Sequence, residues 1–377
     1  MGLRIHWYLP TNGDSRDIVG SGDRSENQCE GLTRPFREAD IDYLILLAKT
    51  ADTLGYEAVL TPTGTWCHDA WITTAALLQH TKRLKFLVAF RPGFVSPVLC
   101  AHQAATFQRI SEGRLLVNIV TGGDSVEQRR YGDHLAHDER YLRTEEFLRV
   151  FRGVSTATSG HPWSFEGRYY DIDDARIDFD PWLVPPIFFG GASPIAEQVA
   201  ARQADVYLAW GETPAQIHDR VQRVGKLAAD AGRSIKFGVR FHVITRDTSR
   251  DAWETAAELV RRIDQNRIAE AQAALAQSES VGQQRMVALH KGRTDSLEVY
   301  PNVWTGFGLV RGGAGTAIVG SHEEVAERIE EYASLGVEHF ILSGQPHVEE
   351  AYWFAEGVLP VLRKRGLVDP EPARAPA

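Results

Sequence analysis

Eight short apolar runs, each closing on small or polar residues, recur along the chain: Leu3–Pro10, Ala58–Pro62, Leu84–Arg91, Leu115–Thr121, Pro186–Gly190, Val206–Trp210, Lys236–Thr245 and Glu338–Ser343. Runs of this length and make-up predict strands. Between them, apolar residues return at three- and four-residue spacing over Ile41–Leu54, Glu139–Phe151, Pro214–Ala231, Trp253–Ile263 and Glu323–Leu335, which predicts helices. Such alternation in 377 residues fits a closed parallel (β/α)8 barrel, the α/β TIM-barrel class, better than an open doubly wound sheet. Two connections, Gly122–Pro185 and Arg246–Val337, are too long for simple βα units and are expected as insertion segments over the C-terminal face. With no internal repeat, residues 1–368 read as one domain, and the Pro/Ala-rich residues 369–377 as a flexible C-terminal tail.

Charge and cysteine content narrow the function classes. A net charge of −9, with Lys and Arg scattered among carboxylates, argues against a nucleic-acid partner but leaves room for a small anionic ligand held by a few buried arginines. No apolar run approaches the roughly 20 residues that cross a bilayer, and the start MGLRIHWYLP lacks a secretory pattern, so a cytoplasmic address is expected. Cys29, Cys67 and Cys100 form no C-x-x-C pair, which fits reduced thiols and neither a disulfide framework nor a zinc site; no metal is expected.

A parallel barrel carries its chemistry at the C-terminal strand ends. That rule collects Asn12 and Asp14, PTGTWCHD at residues 62–69, Arg91, TGGD at 121–124, GGAS at 190–193, WGE at 210–212, Arg240 with His242, and GQPH at 344–347. In KFGVRFHVIT, Arg240 and His242 are two apart and share a strand face, opposite Phe241 and Val243, so they are expected to point into the barrel. A guanidinium there needs an anionic partner: either an internal carboxylate, making a structural ion pair, or a bound anion. Arg311, in GLVRGGAGTA, suits a mobile lid that delivers an arginine and excludes water; a solvated surface arginine is the plain alternative. GGAS before the helical Ile195–Arg202 has the form of a phosphate cradle at a helix N-terminus. No Walker or dinucleotide fingerprint is present, and Cys67 has no sequence sign of a paired histidine.

These segments carry a resemblance. LPTNGD, PTGTWCHDAW, LKFLVAFRPGFVSP, FGGAS, YLAWGE, FGVRFHVITRD, SVGQQRM, LVRGGAGTAIVG and LSGQPHVEEAY, spread from Leu3 to about Leu362, are similar to the reduced-FMN-dependent alkanesulfonate monooxygenases of the bacterial luciferase-like class. The resemblance implies a two-component system: a separate NAD(P)H-dependent flavin reductase supplies FMNH2, and this chain uses it with O2 to cleave a C–S bond, releasing sulfite and an aldehyde. It implies catalytic positions at Arg240, His242, Arg311 and His347, a substrate contact at Trp210, flavin contacts at Asn118, Thr121, His137, Tyr141 and Gly191, Ala192 and Ser193, and a homodimer or homotetramer. Cys67 is carried with the substrate contacts.

The sequence departs from the alkane-selective pattern at His6, Asn12 and Gln345, and in a longer first loop, Asp14–Asp40. Polar groups facing a ligand favour a substrate that satisfies them. The expected substrate is therefore a hydroxylated sulfonate, with sulfoquinovose, cleaved to sulfite and 6-oxo-glucose, the leading candidate. A simple alkanesulfonate or sulfone monooxygenase, a deazaflavin-dependent oxidoreductase and a non-enzymatic flavin binder stay open.

Overall fold

The computed structural model describes residues 2–18, 36–179 and 183–369. Most of the expected first loop and nearly all of the expected tail, residues 370–377, lie outside the described residues, as does Cys29.

Eight parallel strands close a barrel: β1 (Arg4–Tyr8), β2 (Ala58–Thr61), β3 (Lys85–Phe90), β4 (Leu115–Ile119), β5 (Ile187–Gly190), β6 (Val206–Trp210), β7 (Lys236–Arg246) and β8 (Val337–Ser343). Each pairs with its successor, and β8 returns to β1 through Arg4↔His339 and Trp7↔Leu342. Each strand coincides with one of the expected runs. Buried on both faces, these strands need no polar alternation, which is why they read as short continuous apolar segments.

The two strand faces build two cores. Outward residues such as Trp7, Val59, Phe86, Val117, Phe189 and Phe241 pack beneath the helices. Inward residues fill the barrel: Tyr8, Ala58, Leu60, Leu87, Leu116, Phe188, Val206 and Ile341. Helices begin where their caps dictate. Asp40 accepts from the Tyr43 N–H at 2.8 Å to open Ile41–Leu54, and Gly55, at φ 85°, ends it in the left-handed region.

β7 runs past the barrel rim. Its lower half pairs with β6 and β8, and its upper half pairs in parallel with Ala317–Ser321 of the second insertion, His242 facing Ala317. That extra pairing carries Phe307 and Arg311 over the barrel mouth.

The first insertion departs from expectation. Its beginning reaches the mouth, but the antiparallel hairpin Trp163–Glu166 with Asp171–Ala175 does not cover it. The hairpin lies along the outside of helix His137–Thr156, where Arg149 stacks 4.9 Å from the Phe165 ring and the Trp163 indole fills the space above Gly153. Its apolar side chains, Trp163 and Phe165, rest half-covered on that helix rather than over the mouth. Among the described residues, no helix is long and apolar enough to cross a membrane, and no cluster of potential metal ligands occurs.

Candidate active site

The mouth opens into a cavity of about 670 Å³, a size suited to a small-molecule or cofactor site. One side is built by the ends of β4 and β5 and by two helix N-termini. Asn118, Thr121, His137, Tyr141, Gly191, Ala192 and Ser193 all line it, so every residue expected to meet a flavin shares one wall. Ser193 caps helix Pro194–Gln203, its Oγ accepting from the Ala196 N–H at 3.3 Å. That helix end adds partial positive charge to the GGAS backbone, the arrangement that receives a phosphate. A Cβ on Gly191 would lie 2.6 Å from the Ala196 Cβ and 3.0 Å from the Tyr141 hydroxyl, so only glycine lets the backbone run here. Burial pushes the Tyr141 phenol up to about 12, which keeps it a neutral hydrogen-bonding group.

The barrel floor and opposite wall differ. Leu60, Ala89, Leu208 and Ile341 supply apolar surface, beside Tyr8, Trp210 and Arg240. The Arg240 guanidinium sits 4.6 Å above the Tyr8 ring, and its Nε is buried without a hydrogen-bond partner. Strand alternation placed it inward as expected. Of the two alternatives, the internal carboxylate is not its partner: among the described residues it makes no ion pair. Glu212, on the same cavity wall, is instead held by Arg220 at 3.1 Å and by both nitrogens of Arg285 that reach it.

His242, Arg311, His347 and Gln345 gather around the same end but behind the cavity wall rather than on it. His242 stacks on Phe307 at 3.9 Å, its Nδ1 lies 2.8 Å from the Ser343 hydroxyl, and the Ala314 backbone takes a further bond. His347 stacks on Tyr8 at 5.5 Å with its Nδ1 unpartnered, and its backbone N–H donates to Asp14 at 2.8 Å. Burial, then the charges of Arg311 and Arg240, hold both imidazoles well below the usual histidine value, so both are neutral at physiological pH. Arg311 is 3% exposed. It donates to the Ile18 carbonyl at 2.9 and 2.7 Å and to Gln345 Oε1 at 3.0 Å.

Several expectations are corrected by this geometry. The segment carrying Arg311 is packed, not an exposed lid, because it fills the groove between the barrel rim and helix Val281–His290. Gln345 does not face a ligand: its amide oxygen holds Arg311 and its amide nitrogen donates to the Ser15 carbonyl. His6 lies at the barrel floor, its Nε2 2.9 Å from His339 Nδ1, beneath Phe188. Asn12 sits in the turn after β1 with its side-chain oxygen buried and unpartnered, off the cavity. Cys67 is likewise off the wall, 3.7 Å from the Gly64 carbonyl, while its neighbour Trp66 lines the cavity.

Residues 6–339 match the family model described as luciferase-like monooxygenase. The chain belongs to this family. Among solved structures, it is similar to a riboflavin lyase (RcaE) bound to modified FMN and riboflavin, at 20% identity and TM-score 0.79, over 98% of this chain and 93% of that one. The EDTA monooxygenase of Chelativorans sp. BNC1 is 20% identical with TM-score 0.74, over 98% and 95%. An F420-dependent secondary alcohol dehydrogenase is 18% identical with TM-score 0.68, over 96% and 99%.

Within this luciferase-like chain, sequence reasoning missed the residues that the second insertion brings to the mouth. Ala274, Ser278, Ser280, Gly282 and Gln283 line the cavity from above. A Cβ on Gly123 would meet the Ser280 Cβ at 2.9 Å, and one on Gly282 would lie 3.1 Å from the Trp210 ring, so this roof rests on the loop after β4 and on the end of β6. SVGQQRM was visible as a motif, but nothing local in it says where a helix that begins 35 residues beyond β7 will land. Tyr8 was also passed over. Its signal was the two-residue spacing from His6, which puts it on the inward face of β1.

Proposed function

We propose that this luciferase-like protein is a reduced-FMN-dependent sulfonate monooxygenase, drawing FMNH2 from a separate NAD(P)H-dependent reductase and O2 from solution. The observation that carries the substrate class is Arg240: a guanidinium inside the barrel, on the cavity wall, with no carboxylate paired to it among the described residues. Such a group favours an anion opposite, and a sulfonate supplies three acceptor oxygens.

The residues present suit a flavin. Ser193, the GGAS backbone and the adjoining helix end would take its phosphate, with His137, Tyr141, Thr121 and Asn118 along the same wall. When bound, reduced flavin supplies the two-electron activation of oxygen that breaks the C–S bond. The chain's own part is to hold and enclose. Arg240 would bind the sulfonate and, through its charge, favour departure of sulfite as an anion. Trp210 and the roof at 278–283 would keep water from the reacting end. His347, neutral and buried, would hold Tyr8 in place by stacking, and His242 would fix Phe307 and Ser343 behind the wall rather than carry charge.

The substrate we favour is sulfoquinovose. His6, Asn12 and Gln345 no longer support that choice from the cavity wall; the polar group that does, apart from those assigned to the flavin, is Gln283. The apolar floor of Leu60, Ala89, Leu208 and Ile341 favours the second reading, a plain alkanesulfonate. Sulfite release with a reductase, FMN and O2, comparing sulfoquinovose, octanesulfonate and methanesulfonate, decides between them. Turnover with reduced deazaflavin but not reduced FMN would overturn the cofactor assignment.

A further inference from the structure

One cavity-lining side chain has an unmet hydrogen-bonding group that nothing in the protein explains. Gln283 lies in the first turn of helix Val281–His290, its backbone N–H donating to the Ser280 hydroxyl that caps the helix. It is 5% exposed and lines the cavity. Its Oε1 accepts from the Gly313 N–H at 2.8 Å, which fixes the amide orientation because a backbone N–H can only donate. The Nε2 group is therefore the one left over, and it is buried with no partner. A buried amide donor without an acceptor is costly. Only a ligand or a trapped water in the cavity can satisfy it.

The neighbourhood says which part of a ligand. The residue before it, Gly282, packs on Trp210, so Gln283 stands above the end of β6. Its donor partner, Gly313, is two residues from Arg311, so the side chain whose amide oxygen braces the arginine-bearing segment has its amide nitrogen left over at the cavity wall. The flavin wall is elsewhere, on β4 and β5. A neutral donor in a site whose anion receptor is Arg240 calls for a neutral oxygen, a hydroxyl or ring ether, on the substrate's carbon skeleton. It does not suit the skeleton of an alkyl chain.

Resting on the sulfonate reading, we propose that Gln283 is the specificity-determining residue that selects an oxygenated sulfonate over an alkyl one, its Nε2 donating to a substrate hydroxyl or ether oxygen.

The test is calorimetric binding, under anaerobic conditions with reduced FMN present, of sulfoquinovose and of octanesulfonate to the wild type, Gln283→Leu and Gln283→Glu. Gln283→Glu keeps an acceptor for the Gly313 N–H and removes the donor; its new charge repels both sulfonates alike, so the ratio of the two dissociation constants isolates the donor. The expected result is a ratio shifted against sulfoquinovose by on the order of tenfold in both variants, with FMN affinity of Gln283→Glu unchanged. A ratio equal to that of the wild type in both variants overturns the proposal and leaves Gln283 as a brace for Gly313. Loss of FMN affinity with a constant ratio assigns the donor to the flavin and overturns it as well. Wild-type protein that binds neither sulfonate overturns the substrate class itself, and that outcome is distinct because it shows before any variant is compared.

Discussion

Lowering the pH from 7.5 to 5.5 should destabilise this protein through two histidines that face each other at the barrel floor. His6 and His339 stack at 5.2 Å with ring nitrogens 2.9 Å apart, walled by Phe188. Burial is the main cause that pushes His6 down to about 3, helped by the charges of Lys85 and Arg4. Burial, then His6 itself and Lys236, pushes His339 down to about 2. The folded values lie below the unfolded value, so the unfolded chain takes up protons that the folded barrel refuses. Stability from this pair is thus present above about pH 6.5 and is lost progressively below it, down to about pH 3. At pH 5.5 each imidazole costs about 1.4 kcal/mol, and the pair about 3 kcal/mol, a large part of the ~5–15 kcal/mol that holds a typical domain together. Asp14, raised to about 6, and Glu350, raised to about 7, both chiefly by burial, act in the opposite direction. A comparison with His6→Asn/His339→Asn removes them, because they are common to both proteins. Urea unfolding at the two pH values should give a pH-dependent loss about 3 kcal/mol smaller in the double variant than in the wild type, whatever the variant's stability at pH 7.5. Should the double variant not fold, each single variant is expected to remove about half. Equal pH dependence in wild type and variants would refute the reasoning, since it would mean that the floor histidines protonate without cost.

Further outcomes follow from the site. Arg240→Ala is expected to abolish sulfite release while reduced-FMN binding persists; loss of flavin affinity would place the residue on the cofactor instead. Gly191→Ala puts a methyl group 2.6 Å from the Ala196 Cβ, and should weaken FMN binding about 10-fold or more by equilibrium titration, by displacing the phosphate cradle. Unchanged affinity would show that the phosphate sits elsewhere. Gln345→Ala removes the amide donor to the Ser15 carbonyl and one of the two acceptors of an Arg311 nitrogen, and is expected to cost about 1–3 kcal/mol in chemical denaturation; a neutral result would mean that water replaces the amide. Because residues 310–316 are packed, limited proteolysis should spare the Gly312–Gly315 segment even without flavin or substrate, and rapid cleavage there would restore the lid reading.

Much of this was legible in the chain. Strand alternation, helix periodicity and caps are local, so the eight barrel strands and helices such as Ile41–Leu54 could be read directly, and the two-residue period put Arg240 inside the barrel. Asn118, Thr121 and Gly191–Ser193 on the cavity wall were also accessible, because they lie at or just after strand ends, whereas His137 and Tyr141 came only from the family resemblance. Tertiary structure alone decided the rest. Whether an inward polar residue meets the cavity depends on its height in the barrel: His6 and Tyr8 share a face, yet one is on the floor and the other beneath Arg240. Whether Gln345 meets a ligand depends on Arg311 and Ser15, which are 34 and 330 residues away. Gln283 reaches the mouth only because the upper half of β7 pairs with Ala317–Ser321 and folds the second insertion over the barrel. Local sequence sets which face a side chain takes, since that follows from backbone geometry over a few residues. What the side chain then meets is set by long-range packing, which no window of the sequence contains.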